Sequence, residues 1–413
     1  MKKIILITSR FPYYGGEQFL ETEVEYYCQN KDIDFIIIPR HKNEEEKRDV
    51  PNCIGIDNLL TNKINTGNKK KIHYLLKALK SRYFYKELLS ENFFSTKKLK
   101  IFFSAVSTYQ MYYEVFDKYL AEFKNLKSTV IYTYWHDETT YALQSLRSKY
   151  NYKLVSRIHG GDLYKERKSF GYMPLKKHFI KDIDTIYTIT ESANDYLNET
   201  YGFDKNVLRL SRLGVNDFDV TASKSKDNCY HIVSCSFLVR VKRIDKIIRA
   251  LEKLANIRGD IYIKWTHIGS GILEDSLKMK AKDLLGKNKQ ISYNFLGELK
   301  NKEVYEFYAN NDIDVFINVS ESEGVPVSIM EAMSCHIPII APDVGGIKDM
   351  VIDEYNGILL SGDPDINEIT EGLEKIEYFK NTKIRDNAYT LYLDKYNAQK
   401  NYANFIKELK RIA

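Results

Sequence analysis

Cysteine is sparse and scattered in this sequence. The chain of 413 residues contains 5 cysteines, and no two of them form a CxxC pair. An odd number of isolated cysteines indicates neither a disulfide framework nor a zinc site. We therefore expect reduced thiols in a cytoplasmic protein. The five are Cys28, Cys53, Cys229, Cys235 and Cys335.

Long apolar runs are also missing. No stretch approaches the roughly 20 apolar residues that a membrane-spanning helix needs. The first residues, "MKKIILITSRF", have the basic start of a signal peptide, but their apolar run covers only residues 4–7, and no small-residue cleavage site follows. We expect a buried first strand here, in a protein that is soluble or held at the inner face of a membrane.

The motifs of several other protein classes are absent. The formal net charge of +6 is too small to indicate a nucleic-acid partner, and the chain has neither zinc-finger spacing nor an RNP-like string. It also lacks a complete G-x-G-x-x-G motif followed by an acidic residue, and it lacks a Walker A string. The sequence therefore supports neither hydride transfer nor hydrolysis of nucleoside triphosphates.

Short apolar runs that alternate with amphipathic stretches are the main pattern of the chain. Runs such as "VIYTY" and "DVFINV" are short and rich in β-branched and aromatic residues, as buried parallel strands are. Between them lie helical patterns such as residues 245–256, with apolar residues on one face. This alternation predicts an α/β fold with doubly wound sheets. The predicted strands are 3–8, 34–39, 129–134, 153–159, 185–190, 207–210, 230–236, 261–269, 291–296, 314–319 and 337–341.

The strand–helix alternation starts again after a polar segment. Residues 216–228 contain no strand pattern, and a new apolar run begins at Tyr230. We predict two Rossmann-like domains, residues 1–217 and 218–396, with a basic amphipathic helix in 397–413 that packs back on the first. A ligand in a cleft between two such domains would meet the carboxyl ends of both sheets.

One segment departs from the alternation. Residues 69–103 hold ten lysines and arginines but only two acidic residues, Glu87 and Glu91, with aromatic side chains interspersed. Basic residues mixed with aromatics suit an anionic membrane surface. The alternative is a solvated helical hairpin whose aromatic side chains face the core.

The stretch "SESEGVPVSIMEAM", residues 320–333, places two glutamates around a tight turn. Gly324 allows close approach of the backbone to a ligand, and Pro326 is tolerated in the first turn of a helix. The amides that follow lack partners within the helix and suit phosphate or sugar oxygens. Glu323 and Glu331 would then accept hydrogen bonds from a sugar and from a ribose. The alternative is a pair of solvent-facing glutamates, which the apolar helix around Glu331 disfavours.

Two other strand ends carry polar residues. In "VSRIHGGDLYKER", His159 ends a strand, the two glycines allow a close turn, and Asp162 would orient His159 or bind an acceptor hydroxyl. In "YTYWHDE", Trp135 and Asp137 would form an aromatic platform with a polar edge for a sugar acceptor. A satisfied core histidine and a packed tryptophan are the alternatives.

The pattern Glu-Gly-x-Pro…Glu-Ala-Met, followed by "IPIIAPDVGG", resembles the signature of the retaining family 4 glycosyltransferases, which have the GT-B fold. The segment "RFPYYGGEQFLETEV" resembles that of enzymes building bacterial exopolysaccharide, capsule and lipopolysaccharide, including the colanic-acid type. The resemblance implies that Glu323 contacts the donor sugar and Glu331 the ribose hydroxyls. It also implies that Gly324 and Val325 offer backbone amides beside Pro326.

The resemblance assigns further residues. In "SCSFLVRVKRIDKII", Lys242 falls on the family's lysine for the donor diphosphate, whereas Phe237 replaces its arginine. Arg240 or Arg243 would then have to supply the missing charge. By resemblance, His159 faces the sugar and the reacting centre. The loop over the phosphates and the segments that line the nucleobase pocket correspond to Gly15, Gly16, Glu17, Gly269, Gly297 and Leu299.

A further departure lies in "EAMSCHIP". The family usually has glycine where His336 stands, at the C-terminal end of a helix. That position favours a positive φ, which histidine tolerates better than most residues. We interpret His336 as structural.

The resemblance implies a retaining transfer of a hexose from a nucleoside diphosphate sugar to a glycan or lipid-linked oligosaccharide, in the biosynthesis of bacterial surface polysaccharide. It favours a UDP-sugar, with GDP-mannose as the other candidate, and it implies no metal and no cofactor besides this co-substrate. Two alternatives stay open. One is a non-catalytic scaffold that binds a sugar nucleotide or glycan, which Phe237 favours; the other is a GT-B sugar-nucleotide epimerase.

Overall fold

The computed structural model describes residues 2–14, 16–42, 46–63, 68–226 and 228–413. By its contacts the chain divides into two compact units. The first consists of Met1–Leu213 together with Gln399–Ala413, and the second of Gly214–Ala398. The boundary predicted from the sequence lies between residues 217 and 218, and the chain is predicted to return to the first domain at residue 397.

The first unit contains a parallel sheet of seven strands in the order β3-β2-β1-β4-β5-β6-β7. Strands β4 and β5 lie in the interior, and β4 is buried along its whole length. The strands are β1 Lys2–Thr8, β2 Ile33–Pro39, β3 Ile54–Ile56, β4 Thr129–Thr133, β5 Lys153–Ile158, β6 Thr185–Thr188 and β7 Leu208–Leu210. The helices between them are α1 Phe19–Tyr27, α2 Leu59–Lys63, α3 Asn68–Ala78, α4 Arg82–Ser90, α5 Thr96–Leu120, α6 Glu138–Tyr150, α7 Gly160–Leu163 and α8 Glu191–Tyr201.

The second unit contains a parallel sheet of six strands in the order β10-β9-β8-β11-β12-β13. The strands are β8 Cys229–Cys235, β9 Tyr262–Ile268, β10 Ile291–Phe295, β11 Val315–Ile317, β12 Ile339–Pro342 and β13 Gly357–Leu360. The helices are α9 Ile244–Ile257, α10 Glu274–Leu285, α11 Asn301–Ala309, α12 Val327–Ser334, α13 Ile366–Glu374, α14 Ile376–Lys380 and α15 Thr382–Lys395. The chain then returns to the first unit as α16 Ala398–Ile412. The predicted α/β fold of two doubly wound sheets is confirmed.

Each of the eleven predicted strands corresponds to a strand of the structure, but two further strands were missed. These are β3 and β13, with the sequences "IGI" and "GILL". Both lie at an edge of a sheet. Runs of three or four residues are too short to show a strand periodicity in a sequence.

Helix α16 completes the core of the first unit. Its side chains Phe405, Ile406 and Leu409 are buried in the cluster that also contains residues of β1. The ring of Phe405 lies 4.3 Å from the guanidinium carbon of Arg157. Arg157 in turn forms an ion pair with Glu23, and both side chains are completely buried. Burial of a charge costs free energy unless the charge is paired, so this helix packs over a charge that already has a partner in Glu23.

The cysteine prediction is wrong for one pair. Cys28 and Cys53 form a disulfide with a Cα–Cα distance of 5.8 Å, which lies in the normal range. Cys28 ends α1 and Cys53 precedes β3, so their proximity depends on how the chain returns to the sheet edge. Spacing in the sequence contains no such information. Cys229, Cys235 and Cys335 are free thiols.

None of the helices in the described part of the chain combines the length and the apolar character that crossing a bilayer requires.

His336 has the predicted left-handed backbone, with φ of 60°. Its ring stacks on Tyr389 at a centroid distance of 4.2 Å, and its Nδ1 lies 3.3 Å from Asp386 Oδ1. Glycine at this position would avoid the strain of the positive φ, but it would form neither of these contacts. The contacts therefore explain why histidine occupies the position.

Candidate functional site

In the second unit, strand order reverses between β8 and β11. From β8 the sheet extends to β9 on one side, and from β11 it extends to β12 on the other side. In open α/β sheets, such a switch point leaves a crevice at the carboxyl ends of the strands, where ligands bind. The loop after β8 and the loop after β11 border this point.

The two loops are joined by direct contacts. Glu321 N donates to Val241 O at 2.8 Å, and Lys242 Nζ donates to Glu323 Oε1 at 2.6 Å. Asn318 Nδ2 also donates to Glu323 Oε1, at 3.1 Å. Two predicted catalytic residues, 81 positions apart in the chain, therefore meet at the switch point.

Asn318 was not predicted as a site residue. Its Oδ1 accepts a hydrogen bond from Ser320 N at 2.8 Å, while its amide group binds Glu323. It therefore holds the turn and orients the glutamate. The signal in the sequence was a polar residue that follows directly on a buried apolar strand.

Glu331 is buried in α12 and has one neutral partner. Asn301 Nδ2, at the beginning of α11, donates to its Oε1 at 2.5 Å. Burial raises the pKa of Glu331 to about 8, and the hydrogen bond from Asn301 opposes this shift. A protonated carboxyl group can donate as well as accept hydrogen bonds, which suits a ribose hydroxyl pair. Asn301 was also missed, because only the fold brings α11 to α12.

The predicted glycines bring the loop after β9 close to the loop after β8. Gly269 has φ of +131°, and a Cβ there would lie 2.0 Å from Ser236 O. Its N–H donates to Gly297 O at 2.7 Å. Leu299 is partly buried two residues further on. The close approach requires glycine at residue 269, and it places all three segments at one edge of the sheet.

The turn before α12 has the predicted form. Pro326 directly precedes the helix, with φ of −71°, and Val325 is buried beside it. Gly324 O accepts a hydrogen bond from Gly346 N at 2.8 Å. The turn is thus held against the loop after β12.

The arginine missing at Phe237 has no clear replacement in the structure. Phe237 is 52% exposed. Arg243 forms ion pairs with Asp363 at 2.7 Å and with Glu321 at 3.6 Å. Arg240 is exposed and lines, with Arg243, a pocket of about 220 Å³. Its role at the diphosphate stays a prediction.

In the first unit, the strand order reverses between β1 and β4. The loop after β1 and the loop after β4 touch through Trp135 and Glu17. The indole Nε1 donates to Glu17 Oε1 at 2.6 Å. Gly16, with φ of +132°, permits the turn before Glu17. Gly15 lies outside the described residues.

His159 ends β5 inside an aromatic cluster. Its ring centroid lies 4.7 Å from that of Tyr134, 4.8 Å from that of Trp135 and 5.6 Å from that of Phe19. Burial lowers its pKa to about 3; the charge of Arg157 adds to this, and a hydrogen bond to the Tyr134 backbone opposes it. Nε2 is buried and has no hydrogen-bond partner among the described residues. The imidazole is therefore neutral at physiological pH.

Asp162 holds the backbone of two loops. Its Oδ1 accepts from His159 N and its Oδ2 from His136 N, both at 2.6 Å. Burial raises its pKa to about 6, although the buried Lys176 ammonium opposes the shift. Asp162 thus fixes His159 through the main chain and not through the imidazole ring. Its contact with an acceptor stays a prediction.

Asp137 is also engaged within the protein. It caps α6 by accepting a hydrogen bond from Thr139 N at 3.0 Å, and it forms an ion pair with Arg40 at 2.5 Å. Both contacts order the loop that contains Trp135. Whether Asp137 also binds substrate stays a prediction.

The described residues contain no group of three or more His, Cys, Asp or Glu side chains arranged to hold a metal ion.

The fold defined by these two units is that of the GT-B glycosyltransferases. The galactosyltransferase WaaB of the lipopolysaccharide outer core superposes with a TM-score of 0.67 at 15% identity, over 98% of this chain and 99% of that chain. Anabaena HepE in complex with UDP and glucose superposes with a TM-score of 0.64 at 15% identity, over 98% of both chains. At this level of identity, the likeness shows the fold.

The sequence itself matches a glycosyltransferase family over its second unit. Residues 216–390 match the model "Glycosyl transferases group 1". An uncharacterized glycosyltransferase of Methanocaldococcus jannaschii is 24% identical over 277 residues, which are 63% of this chain and 67% of the relative. The O-antigen chain mannosyltransferase RfbU of Salmonella typhimurium is 24% identical over 57% of this chain and 63% of its own length. The fold and these matches together support a GT-B glycosyltransferase.

Proposed function

We propose that this protein is a retaining glycosyltransferase that moves a hexose from a nucleoside diphosphate sugar to a glycan or lipid-linked oligosaccharide. The observation on which the proposal depends is the contact between Lys242 and Glu323 at the switch point of the second unit. A cation for the diphosphate and a carboxylate for the sugar hydroxyls stand side by side there. Glu331 follows in the next helix and is the residue that we propose for the ribose hydroxyls.

The reaction requires stabilisation of a leaving group. Negative charge builds on the diphosphate as the glycosidic bond breaks, so preorganised cations and amides lower the barrier. Lys242 and the amides at the beginning of α12 are suited to this task. No described carboxylate is an obvious covalent nucleophile, and in the proposed scheme a departing phosphate oxygen deprotonates the acceptor on the same face of the sugar.

The first unit would supply the acceptor side. His159 has a buried Nε2 without a hydrogen-bond partner in the described part of the chain, which suits a hydrogen bond from a sugar hydroxyl. Trp135 lies beside it, half-buried, as an aromatic surface for a sugar ring. The convergence of these residues with Lys242 and Glu323 on one sugar stays a prediction.

A UDP-sugar is the favoured donor, and surface polysaccharide the favoured product. HepE, which shares the fold, is described in complex with UDP and glucose. RfbU is described as an O-antigen chain mannosyltransferase, which keeps GDP-mannose as the second candidate.

Transfer assays with purified protein test the proposal. We expect radiolabelled sugar to pass from a UDP- or GDP-sugar to a lipid extract that contains glycan acceptors. Lys242→Ala should reduce the rate by about 10²–10³-fold, as loss of one charge-stabilising group does. Lys246→Ala is the matched control, because Lys246 belongs to the same segment but pairs with the exposed Asp363. Equal losses in both variants would contradict the role of Lys242.

The two alternatives predict other results. A scaffold, which the exposed Phe237 favours, would bind the donor but transfer it to no acceptor. An epimerase would release an epimerised donor without any acceptor. Product analysis of the same reactions separates all three.

We also propose that the first unit contacts an anionic membrane surface. Helices α3 and α4 and the residues after α4 form what we call the α3–α4 surface, where Leu89 and Phe94 are 86% and 96% exposed. Other aromatics of the segment, Phe84 and Phe102, are buried in the core. The same segment and the first turns of α5 also contain six exposed cations: Lys71, Lys80, Arg82, Lys86, Lys97 and Lys100. Apolar and basic groups together suit a bilayer surface with negative charge.

Vesicle sedimentation tests this surface. We expect binding to vesicles that contain phosphatidylglycerol, weaker binding at high salt because exposed charges are screened, and little binding to pure phosphatidylcholine. Leu89→Ser with Phe94→Ser should abolish it. Ile272→Ser is the control, since Ile272 is 90% exposed in the second unit. Undiminished binding by the double variant would exclude this surface.

A further inference from the structure

Glu17 directs its carboxylate into the protein, not towards solvent. The residue is 5% exposed, and its backbone is left-handed, with φ of 58°. Few residues other than glycine adopt this conformation without strain. A strained backbone with a buried charge persists only where the surrounding contacts outweigh its cost.

Those contacts are four hydrogen bonds to one carboxylate. Oε2 accepts from Arg10 N at 2.7 Å and from Phe11 N at 2.8 Å. Oε1 accepts from Ser9 N at 2.8 Å and from Trp135 Nε1 at 2.6 Å. Three successive amides after β1 and one indole thus share a single anion.

The same carboxylate determines where Trp135 lies relative to His159. The ring centroids of Trp135 and His159 are 4.8 Å apart, and the ring planes form an angle of 48°. Phe19, two residues after Glu17, stacks on Tyr134 and on His159, with a centroid distance of 5.6 Å in each case. The Glu17 side chain therefore joins the loop after β1 to the loop after β4, and the ring of Trp135 extends this contact to His159 at the end of β5.

The arrangement requires a carboxylate. A carboxylate only accepts hydrogen bonds, whereas a carboxamide has one accepting oxygen and one donating nitrogen. In either orientation of a glutamine, its NH2 group would face two N–H donors. Glu17→Gln therefore preserves size but breaks half of the contacts.

We propose that Glu17 is a positioning residue, which holds Trp135 and the loop 9–11 in the geometry that the acceptor side of the reaction needs. This inference deepens the proposed function and rests on it. It differs from the expectation that Glu17 binds substrate, because each of the two carboxylate oxygens already accepts two hydrogen bonds from groups of the protein.

Kinetics of Glu17→Gln test the role. We expect kcat to fall about 100-fold, as displacement of a reacting group by about 1 Å does, while KM for the donor stays unchanged. Glu199→Gln, on the exposed side of α8 in the same unit, is the matched control and should behave as wild type. Trp135→Phe removes the indole donor and part of the aromatic surface. Its loss combined with that of Glu17→Gln should be smaller than the sum of the two single losses, since contacting residues are not additive.

Tryptophan fluorescence provides a readout that does not depend on catalysis. The chain has 2 tryptophans, and Trp265 is completely buried, so acrylamide quenching reports on Trp135. We expect stronger quenching in Glu17→Gln at a temperature at which the variant is still fully folded.

Three results would overturn the inference alone: wild-type kcat in Glu17→Gln, wild-type quenching in Glu17→Gln, or additive losses in the double variant. A wild-type protein that transfers no sugar would overturn the proposed function and this role together, and the two failures are thereby distinguishable.

Discussion

Three buried glutamates show how the surroundings of a residue decide its chemistry. Glu23 is paired with a buried arginine, Glu17 with four N–H donors, and Glu331 with one asparagine amide. The first two are satisfied as anions. Glu331 has no comparable compensation, so burial raises its pKa to about 8.

This raised pKa predicts a dependence of stability on pH. Between its ordinary value of 4.5 and about 8, the folded state holds a proton on Glu331 that the unfolded state has released. The free energy of unfolding should therefore fall as pH rises through this window, by at most about 1.4 kcal/mol per pH unit. Glu331→Gln should lack this decline.

Urea unfolding followed by the fluorescence of Trp265, which lies in the same unit, would measure it from pH 5 to pH 9. Glu371→Gln, an exposed position of α13, is the control. Parallel pH profiles for wild type and Glu331→Gln would show that the carboxyl group titrates normally.

At the scale of elements, loops that follow neighbouring strands build the candidate site of each unit. The loop after β8 meets the loop after β11 through Lys242 and Glu323, and the loop after β1 meets the loop after β4 through Glu17 and Trp135. Parallel strands present their carboxyl ends at one edge, so residues far apart in the chain become neighbours there.

Helix α16 is predicted to be essential to the first unit. Phe405 is 2% exposed and covers Arg157, so Phe405→Ala should reduce the stability of that unit by about 3–5 kcal/mol through lost burial and the resulting cavity. Unfolding followed at Trp135 should shift, while unfolding followed at Trp265 should not. Lys407→Ala, on the exposed face of the same helix, should leave both unchanged, and a shift of both probes by Phe405→Ala would contradict the assignment of α16 to one unit.

At the scale of the whole molecule, each unit offers a different half of the proposed reaction. The second unit contains the cation and the carboxylates that we propose for the donor. The first unit contains the neutral histidine and the aromatic side chains that we propose for the acceptor. Variants in the two units should therefore separate donor binding from transfer.

Thermal unfolding with added nucleotide sugars tests this separation. A donor at a hundredfold excess over its dissociation constant should add about 2.7 kcal/mol to the stability. Glu331→Ala should abolish most of that gain, because it removes the proposed ribose contact. His159→Ala should keep the gain and lose transfer. A full gain in Glu331→Ala would remove the ribose assignment, and full transfer by His159→Ala would remove the role of the imidazole.

Much of this arrangement followed from local patterns. The short apolar runs predicted eleven of the strands, and the loops that follow these strands include Lys242, Glu323 and His159. Asn301 and Asn318 were missed because an asparagine at a loop or helix start is common, and only its partner distinguishes it. The Cys28–Cys53 disulfide was missed because the fold, and not the spacing along the chain, brings these two cysteines together.

The sequence by itself determined the α/β class, the places where strands end and the polar side chains that stand there, since these depend on periodicity and on neighbours along the chain. The tertiary structure decided which of these side chains meet. It paired Lys242 with Glu323, surrounded the Glu17 carboxylate with amides and buried Glu331 beside Asn301. Hydrogen bonds and desolvation depend on distances of a few ångströms between segments, and strand order, not sequence spacing, sets those distances.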